Sequence, residues 1–277
     1  MSTEIFREIN KAIEEKGVST MGVQMHTIDI KRFAGDENAI GELISLCREV
    51  WGRQDIGGGM RFLANDQTDT KIFITLARDK QEILGFCVFK LFRVSCPKID
   101  STYTFQNILY FDHTAVRPEK RNSGLGTDFH LNAIEEVSKD GITIVDLILS
   151  RTQNPLVESS LSAALKKSRL GWTELCPLRI DPSGRAKKMV GEVIASGKMP
   201  KKADRPNSSF DNKSFIFWGA YGDGTGSTWE NMTRSAGVDW KNPKAKLFLK
   251  HLSRNGLTVE RFLNEGHALV IASERVV

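Results

Sequence analysis

Hydrophobic positions along the chain follow two periods, and the alternation between them outlines the elements. Residues 4–16 read as a short helix closed by Gly17, and Val23 to Ile30 alternates polar and apolar residues as a strand does. Residues 36–51 set Ile40, Leu43, Ile44, Leu46, Cys47 and Val50 on one broad helical face, followed by a loop at Gly57-Gly58-Gly59. The β-rich runs KIFITLA (71–77) and ILGFCVFKLF (83–92) flank a polar turn, which predicts a hairpin. NILYFDHTAV (107–116) predicts the next strand. Leu125, Phe129, Ala133 and Val137 then recur every four residues, with Gly141 just past the last turn of that helix. ITIVDLIL (142–149) is nearly all apolar, as in a strand buried on both faces. Asn154-Pro155 supplies a cap and first-turn proline for a helix to about Arg169, and Trp172 to Ile180 predicts a further strand.

This order of elements predicts an α/β fold, of the α+β kind with a mixed sheet. It divides the chain into an N-terminal helix (1–21), a core (22–180) and a C-terminal extension (181–277) whose pattern is weaker. Within the extension, 185–195 predicts a helix, 197–214 a polar connector and FIFWGAY (215–221) a strand. A second helix is expected from Asn242-Pro243, and HALVIA (267–272) predicts the last strand.

Composition narrows the class. In 277 residues, 40% are hydrophobic and 26% charged, an ordinary globular balance. No apolar run approaches the roughly 20 residues of a membrane helix. The first residues, MSTEIFREINKAIEEKG, lack the apolar stretch of a secretory signal. The four cysteines (Cys47, Cys87, Cys96, Cys176) show no metal-ligand spacing, so no metal and a reducing, cytoplasmic setting are expected. On that reading the Asn-x-Ser/Thr matches at Asn207, Asn212 and Asn231 are idle.

The formal charge of +5 is concentrated. Between Arg179 and Arg205 lie eight basic and three acidic residues, the whole net excess of the chain. Such a patch could meet the 3′-phosphate of a nucleotide cofactor, an acidic substrate or a nucleic acid. The segment has no aromatics for stacking bases, which argues against nucleic acid.

The stretch with the most chemistry is 107–139, a strand, the loop Arg117-Pro118-Glu119-Lys120-Arg121-Asn122-Ser123-Gly124-Leu125-Gly126, and a helix. A helix N-terminus offers unpaired backbone N–H groups and partial positive charge. Gly124 and Gly126 let the backbone approach an anion closely, and Arg117, Lys120 and Arg121 add charge, so the loop reads as a pyrophosphate cradle. It is neither a Walker loop nor the GxGxxG dinucleotide motif.

Val116-Arg117-Pro118 followed by Arg121-x-x-Gly124-x-Gly126 resembles the acyl-CoA-binding motif of the GCN5-related N-acetyltransferases (GNAT superfamily). The hairpin with Ile83-Leu84-Gly85-Phe86 is similar to that family's second and third strands, and Leu170-Gly171-Trp172 stands where the family usually has Leu-Gly-Phe. The resemblance covers about residues 22–180. It implies a GNAT-like fold and acetyl-CoA, or another short acyl-CoA, as co-substrate. Backbone groups of Asn122, Ser123, Gly124, Leu125, Gly126 and Thr127 would hold the pyrophosphate with Arg121 beside them, and Ala115 and Val116 the pantetheine arm.

Catalysis in such a family requires a base for the attacking amine and an acid for the leaving thiolate. Strict alternation along 107–116 puts Tyr110, Asp112 and Thr114 on one face and Phe111, His113 and Ala115 on the other. Tyr110 and Asp112 fall where family members often carry the base, and Asp112 is the expected one, acting directly or through water. His113 is expected to be a packing or capping residue. The family's usual tyrosine acid is replaced by Lys167, and its asparagine by Ser160. The acid is therefore open between water, Tyr110 and Tyr221, and the departure leaves room for a non-catalytic acyl-CoA-binding protein. Implied partners are a small-molecule or protein amine and, as related enzymes often pair, a second copy in a homodimer; no membrane partner is expected.

Overall fold

The structure is a computed structural model that describes residues 23–51, 69–79, 82–97, 103–139, 143–199, 208–221 and 238–276. The expected helix at 4–16, the Gly57–Gly59 loop, the turn residues Lys80 and Gln81, Gly141, the basic residues Lys201, Lys202 and Arg205, and the glycines at 222–226 lie outside them.

Among the described residues eight strands form one mixed sheet, β1 (Gln24–Asp29), β2 (Lys71–Arg78), β3 (Ile83–Pro97), β4 (Tyr103–Val116), β5 (Leu147–Thr152), β6 (Ser209–Asp211), β7 (Ile216–Trp218) and β8 (Ala268–Glu274). Their order across the sheet is β1-β2-β3-β4-β5-β8-β7-β6. The first four pair antiparallel in sequence order, β4 and β5 pair parallel, and β8 returns antiparallel on β5. The strand expected at Trp172–Ile180 does not form, and the place beside β5 is held by β8, a hundred residues later. Residues 172–180 contribute only two isolated bridges, Trp172 to Arg275 and Cys176 to Ala272. Pro177 has no N–H to give a ladder there, so the run cannot compete with the continuous apolar strand ALVIASE.

Helices cover both faces. On one, α1 (Ile30–Ala34) and α2 (Glu37–Trp51) bury Ile40, Leu43, Leu46 and Cys47 against Ile72, Ile74, Phe86 and Val88. Asp36 caps α2 by accepting from the N–H groups of Asn38 and Ala39. On the other, α3 (Leu125–Ser138) and α4 (Pro155–Ser168) place Phe129, Ala133 and Leu161 over Cys87, Phe89 and Phe111. The alternation of Phe86 and Val88 with Cys87 and Phe89 along β3 separates the two clusters. Helices α5 (Gly184–Ala195), α6 (Lys246–Arg254) and α7 (Val259–Asn264) extend the second cluster, joined by Phe248, Leu252 and Phe262. No described helix is long and apolar enough to cross a membrane.

At Gly85 β3 lies so close to its neighbours that only glycine fits. A Cβ there would stand 2.7 Å from the Ala115 carbonyl oxygen and 3.1 Å from the Phe129 ring. Strand β4 is thereby seated directly under the start of α3.

Candidate active site

Strands β4 and β5 pair only from Ile108–Leu147 to Phe111–Ser150. Past that point β5 continues along β8 through Arg151 and Thr152, while β4 continues along β3 to Val116. The two strands therefore fork, and on its β5 side β4 has no strand partner over 112–116 among the described residues. Ala115 and Val116 line this fork, with their other edge on Phe86 and Gly85.

The fork leads to the glycine loop. A 3-10 turn (Pro118–Lys120) ends at Arg121, and the chain then takes two left-handed residues, Asn122 (φ 65°) and Gly124 (φ 94°). Asparagine and glycine are the residues that reach this region at least cost. Gly124 is the N-cap of α3, and its carbonyl accepts from the N–H groups of Thr127 (2.8 Å) and Asp128 (3.1 Å). Ser123 is turned back on Lys120, its hydroxyl donating to the Lys120 carbonyl at 2.7 Å. Within the expected cradle the N–H groups of Gly124, Leu125 and Gly126 donate to no backbone carbonyl among the described residues. Gly126 faces α4 across a gap in which an added Cβ would lie 3.7 Å from Ser160 Cβ, so Ser160 stands beside the cradle. Its hydroxyl donates to the Val157 carbonyl (3.1 Å) and touches Nδ1 of His130 at 3.2 Å. His130 is buried against the Phe111 ring, 4.6 Å between centroids. Burial pushes its pKa down to about 4, against the opposing hydrogen bond with Ser160.

Positive charge is distributed differently from the sequence expectation. Arg117 is not part of an anion cradle: its Nε donates to the Ile83 carbonyl (2.8 Å), and its terminal nitrogens meet Glu49 (2.6 Å) and Glu82 (3.0 Å). In the basic segment, Arg179 pairs with the buried Glu158 at 2.5 Å, and Lys198 donates to the Arg93 carbonyl at 2.8 Å. Arg185 lies near Asp146 (3.8 Å) and Glu274 (3.9 Å). Much of the described part of that segment is engaged within the molecule. Lys167, in place of the family's tyrosine, is half-exposed and reaches Asp128 on α3 at 3.4 Å.

The catalytic candidates sit at the base of the fork, and a bulge rearranges them. The β3–β4 register steps from Val88–His113 to Phe89–Phe111, so Asp112 is the extra residue. Partners across a ladder share a face, which brings Tyr110, His113 and Ala115 to the side of Lys90, Val88 and Phe86. Phe111 and Thr114 face the other way, and Thr114 donates to Cys87 Sγ at 3.3 Å. The expected grouping of Thr114 with Asp112, and of His113 with Phe111, is reversed because an extra residue breaks the two-residue period.

Asp112 is buried between two partners. Its Oδ2 lies 2.8 Å from Lys90 Nζ and its Oδ1 3.4 Å from His113 Nδ1. Burial raises its pKa, but His113, Lys90 and Arg151 outweigh that and hold the carboxyl below the usual carboxylate range. Tyr110 is fully buried, and its hydroxyl has no hydrogen-bond partner among the described residues. Arg151, the first residue of β5 past the fork, stacks on the Tyr221 ring (4.8 Å), and Tyr221 Oη donates to the Arg151 carbonyl at 3.3 Å. Its guanidinium stays charged despite burial because Tyr110, Tyr221 and Asp112 all favour the charged form. Lys90 and Arg151 were not singled out from sequence, although each is a lone charge in a strand run, ILGFCVFKLF and LILSRT. A cation there needs a partner, and that was the available signal. Among the described residues no group of His, Cys, Asp and Glu side chains could hold a metal ion.

No protein-family model and no curated protein matches the sequence. Solved structures that it resembles include an aminoglycoside acetyltransferase from an uncultured soil metagenomic sample, in complex with trehalose. That match has 12% identity, covers 53% of this chain and 88% of that one, and has a TM-score of 0.35. Another is the NatC complex bound to Gag peptide and CoA, with 17% identity, 55% and 86% coverage and a TM-score of 0.36. A third is Arabidopsis thaliana NAA60 in complex with a bisubstrate analogue, with 13% identity, 47% and 74% coverage and a TM-score of 0.33. Each of these matches spans about half of this chain.

Proposed function

We infer that this protein is an acyl-CoA-dependent N-acyltransferase, moving an acetyl or another short acyl group from CoA to a primary amine by direct attack. The observation that carries the reading is the fork between β4 and β5 opening onto the glycine-capped start of α3. An extended pantetheine arm needs a strand edge to bond to, and the open edge at Ala115 and Val116 offers one. A pyrophosphate needs convergent N–H donors at a helix start, and Gly124 to Gly126 offer those. Arg121 adds charge beside them, and Ser160 closes the far side. The thioester then falls near Tyr110, Asp112 and Arg151, where Tyr110 can donate to the leaving thiolate. Tyr221 brings the C-terminal extension to the same place, so the extension helps shape the acceptor side.

Asp112 belongs to the proton-transfer machinery on this reading, but its burial and its bond to Lys90 separate it from the amine itself. A second reading, an acyl-CoA-binding protein without turnover, draws support from Lys167 in place of the tyrosine acid.

Thiol release from acetyl-CoA, measured with small-molecule and peptide amines as acceptors, separates the two. Amine-dependent release is the expected result. Acetyl-CoA binding without release for any amine favours the second reading, and absence of binding overturns both.

A further inference from the structure

We propose that His113 is the general base of this site and that Asp112 is its positioning residue; the proposal rests on the acyltransferase reading. Three observations converge on it. The bulge at Asp112 moves His113 onto the sheet face that carries Tyr110 and Lys90, just past the point where β4 parts from β5. Asp112 Oδ1 is 3.4 Å from His113 Nδ1, a separation that closes to a hydrogen bond with a small adjustment of either side chain. The third is accessibility: the Asp112 side chain is 3% exposed and that of His113 45%. An amine can reach the imidazole and cannot reach the carboxylate.

The division of labour follows from the charges. Lys90 fixes Asp112 as an anion from the β3 side at 2.8 Å. An anionic Asp112 accepts from His113 Nδ1–H, which selects the tautomer with its lone pair on Nε2, across the ring from the carboxylate. As the amine nitrogen bonds to the thioester carbonyl carbon and the carbon–sulfur bond breaks, Nε2 takes one proton from nitrogen. The departing sulfur takes one proton, from Tyr110 or water, and the imidazolium gives its proton back to that donor or to solvent. The products are the amide and CoA thiol, with no further reactant consumed. Sequence alternation hides this arrangement, since it points His113 and Asp112 to opposite faces.

Two measurements test the proposal. Nitrogen-15 NMR of the histidine rings, assigned with His113→Gln, is expected to show the Nδ1–H tautomer at His113 in the wild type. The preference is expected to be lost in Asp112→Asn, and an Nε2–H tautomer in the wild type overturns the dyad. Thiol release with whichever amine the wild type accepts is expected to fall at least about a hundredfold in kcat in His113→Ala, the usual scale for a general base. Acetyl-CoA affinity should be unchanged, with part of the rate restored by added imidazole. Wild-type turnover by His113→Ala overturns this proposal while leaving the acyltransferase reading intact. Loss of acetyl-CoA binding in the wild type overturns the reading itself.

Discussion

Lys90 Nζ and Asp112 Oδ2 lie 2.8 Å apart on neighbouring strands, with side chains 5% and 3% exposed. A buried pair of this kind is worth little compared with an apolar pair, but breaking it leaves a charge without its partner. Lys90→Met is therefore expected to destabilise the fold by about 3–5 kcal/mol in urea unfolding, and Lys90→Met/Asp112→Leu to recover most of that. Equal stability of Lys90→Met and the wild type would contradict the buried pair. The pair also has a pH signature. Because the native Asp112 pKa is lowered, its contribution is complete above the unfolded value of about 3.9 and is lost as pH falls through the native one.

His130 acts in a different pH window. Its pKa falls from 6.5 to about 4 on burial, so the unfolded chain takes up a proton that the native state refuses. Stability is expected to decline as pH falls from 6.5 towards 4, by up to about 3 kcal/mol from this group, with no further loss below that range. His130→Leu should flatten this part of the profile. Urea unfolding at pH 7 and pH 4.5 checks it, and an identical pH dependence in variant and wild type would count against a neutral, buried His130.

The two arginines of the loop are expected to separate by phenotype. Arg117 ties Ile83, Glu49 and Glu82 together, so Arg117→Ala should cost about 1–2 kcal/mol of stability through its charged hydrogen bonds. Arg121→Ala should weaken acetyl-CoA binding more than Arg117→Ala does. Thermal melts with and without acetyl-CoA distinguish the two effects, and the opposite assignment would remove Arg121 from the cradle.

The parts of the site that depend on local chain chemistry were legible in the sequence. Gly124 at the opening of a helix, Asn154 as the cap that accepts from Leu156 N–H, and the strand–loop–helix order each follow from what one residue can do with its own backbone. What depends on distant partners was not. The Asp112 bulge leaves no mark on composition, yet it decides which side chains meet. The pairing of β8 with β5 joins residues more than a hundred positions apart and displaces the strand expected at 172–180. The role of Arg117 is set by Glu49 and Glu82, neither of which a motif includes.

The central claim, an acyl-CoA site at the fork and the Gly124 cap, is tested most directly by calorimetric titration of acetyl-CoA into the wild type and Gly124→Glu. The wild type is expected to bind one equivalent. The variant adds a side chain at φ 94° and a negative charge at the anion site, and is expected to bind at least about tenfold more weakly, or roughly 1.4 kcal/mol, while remaining folded. No binding by the folded wild type, or equal affinity in the two proteins, would contradict the account.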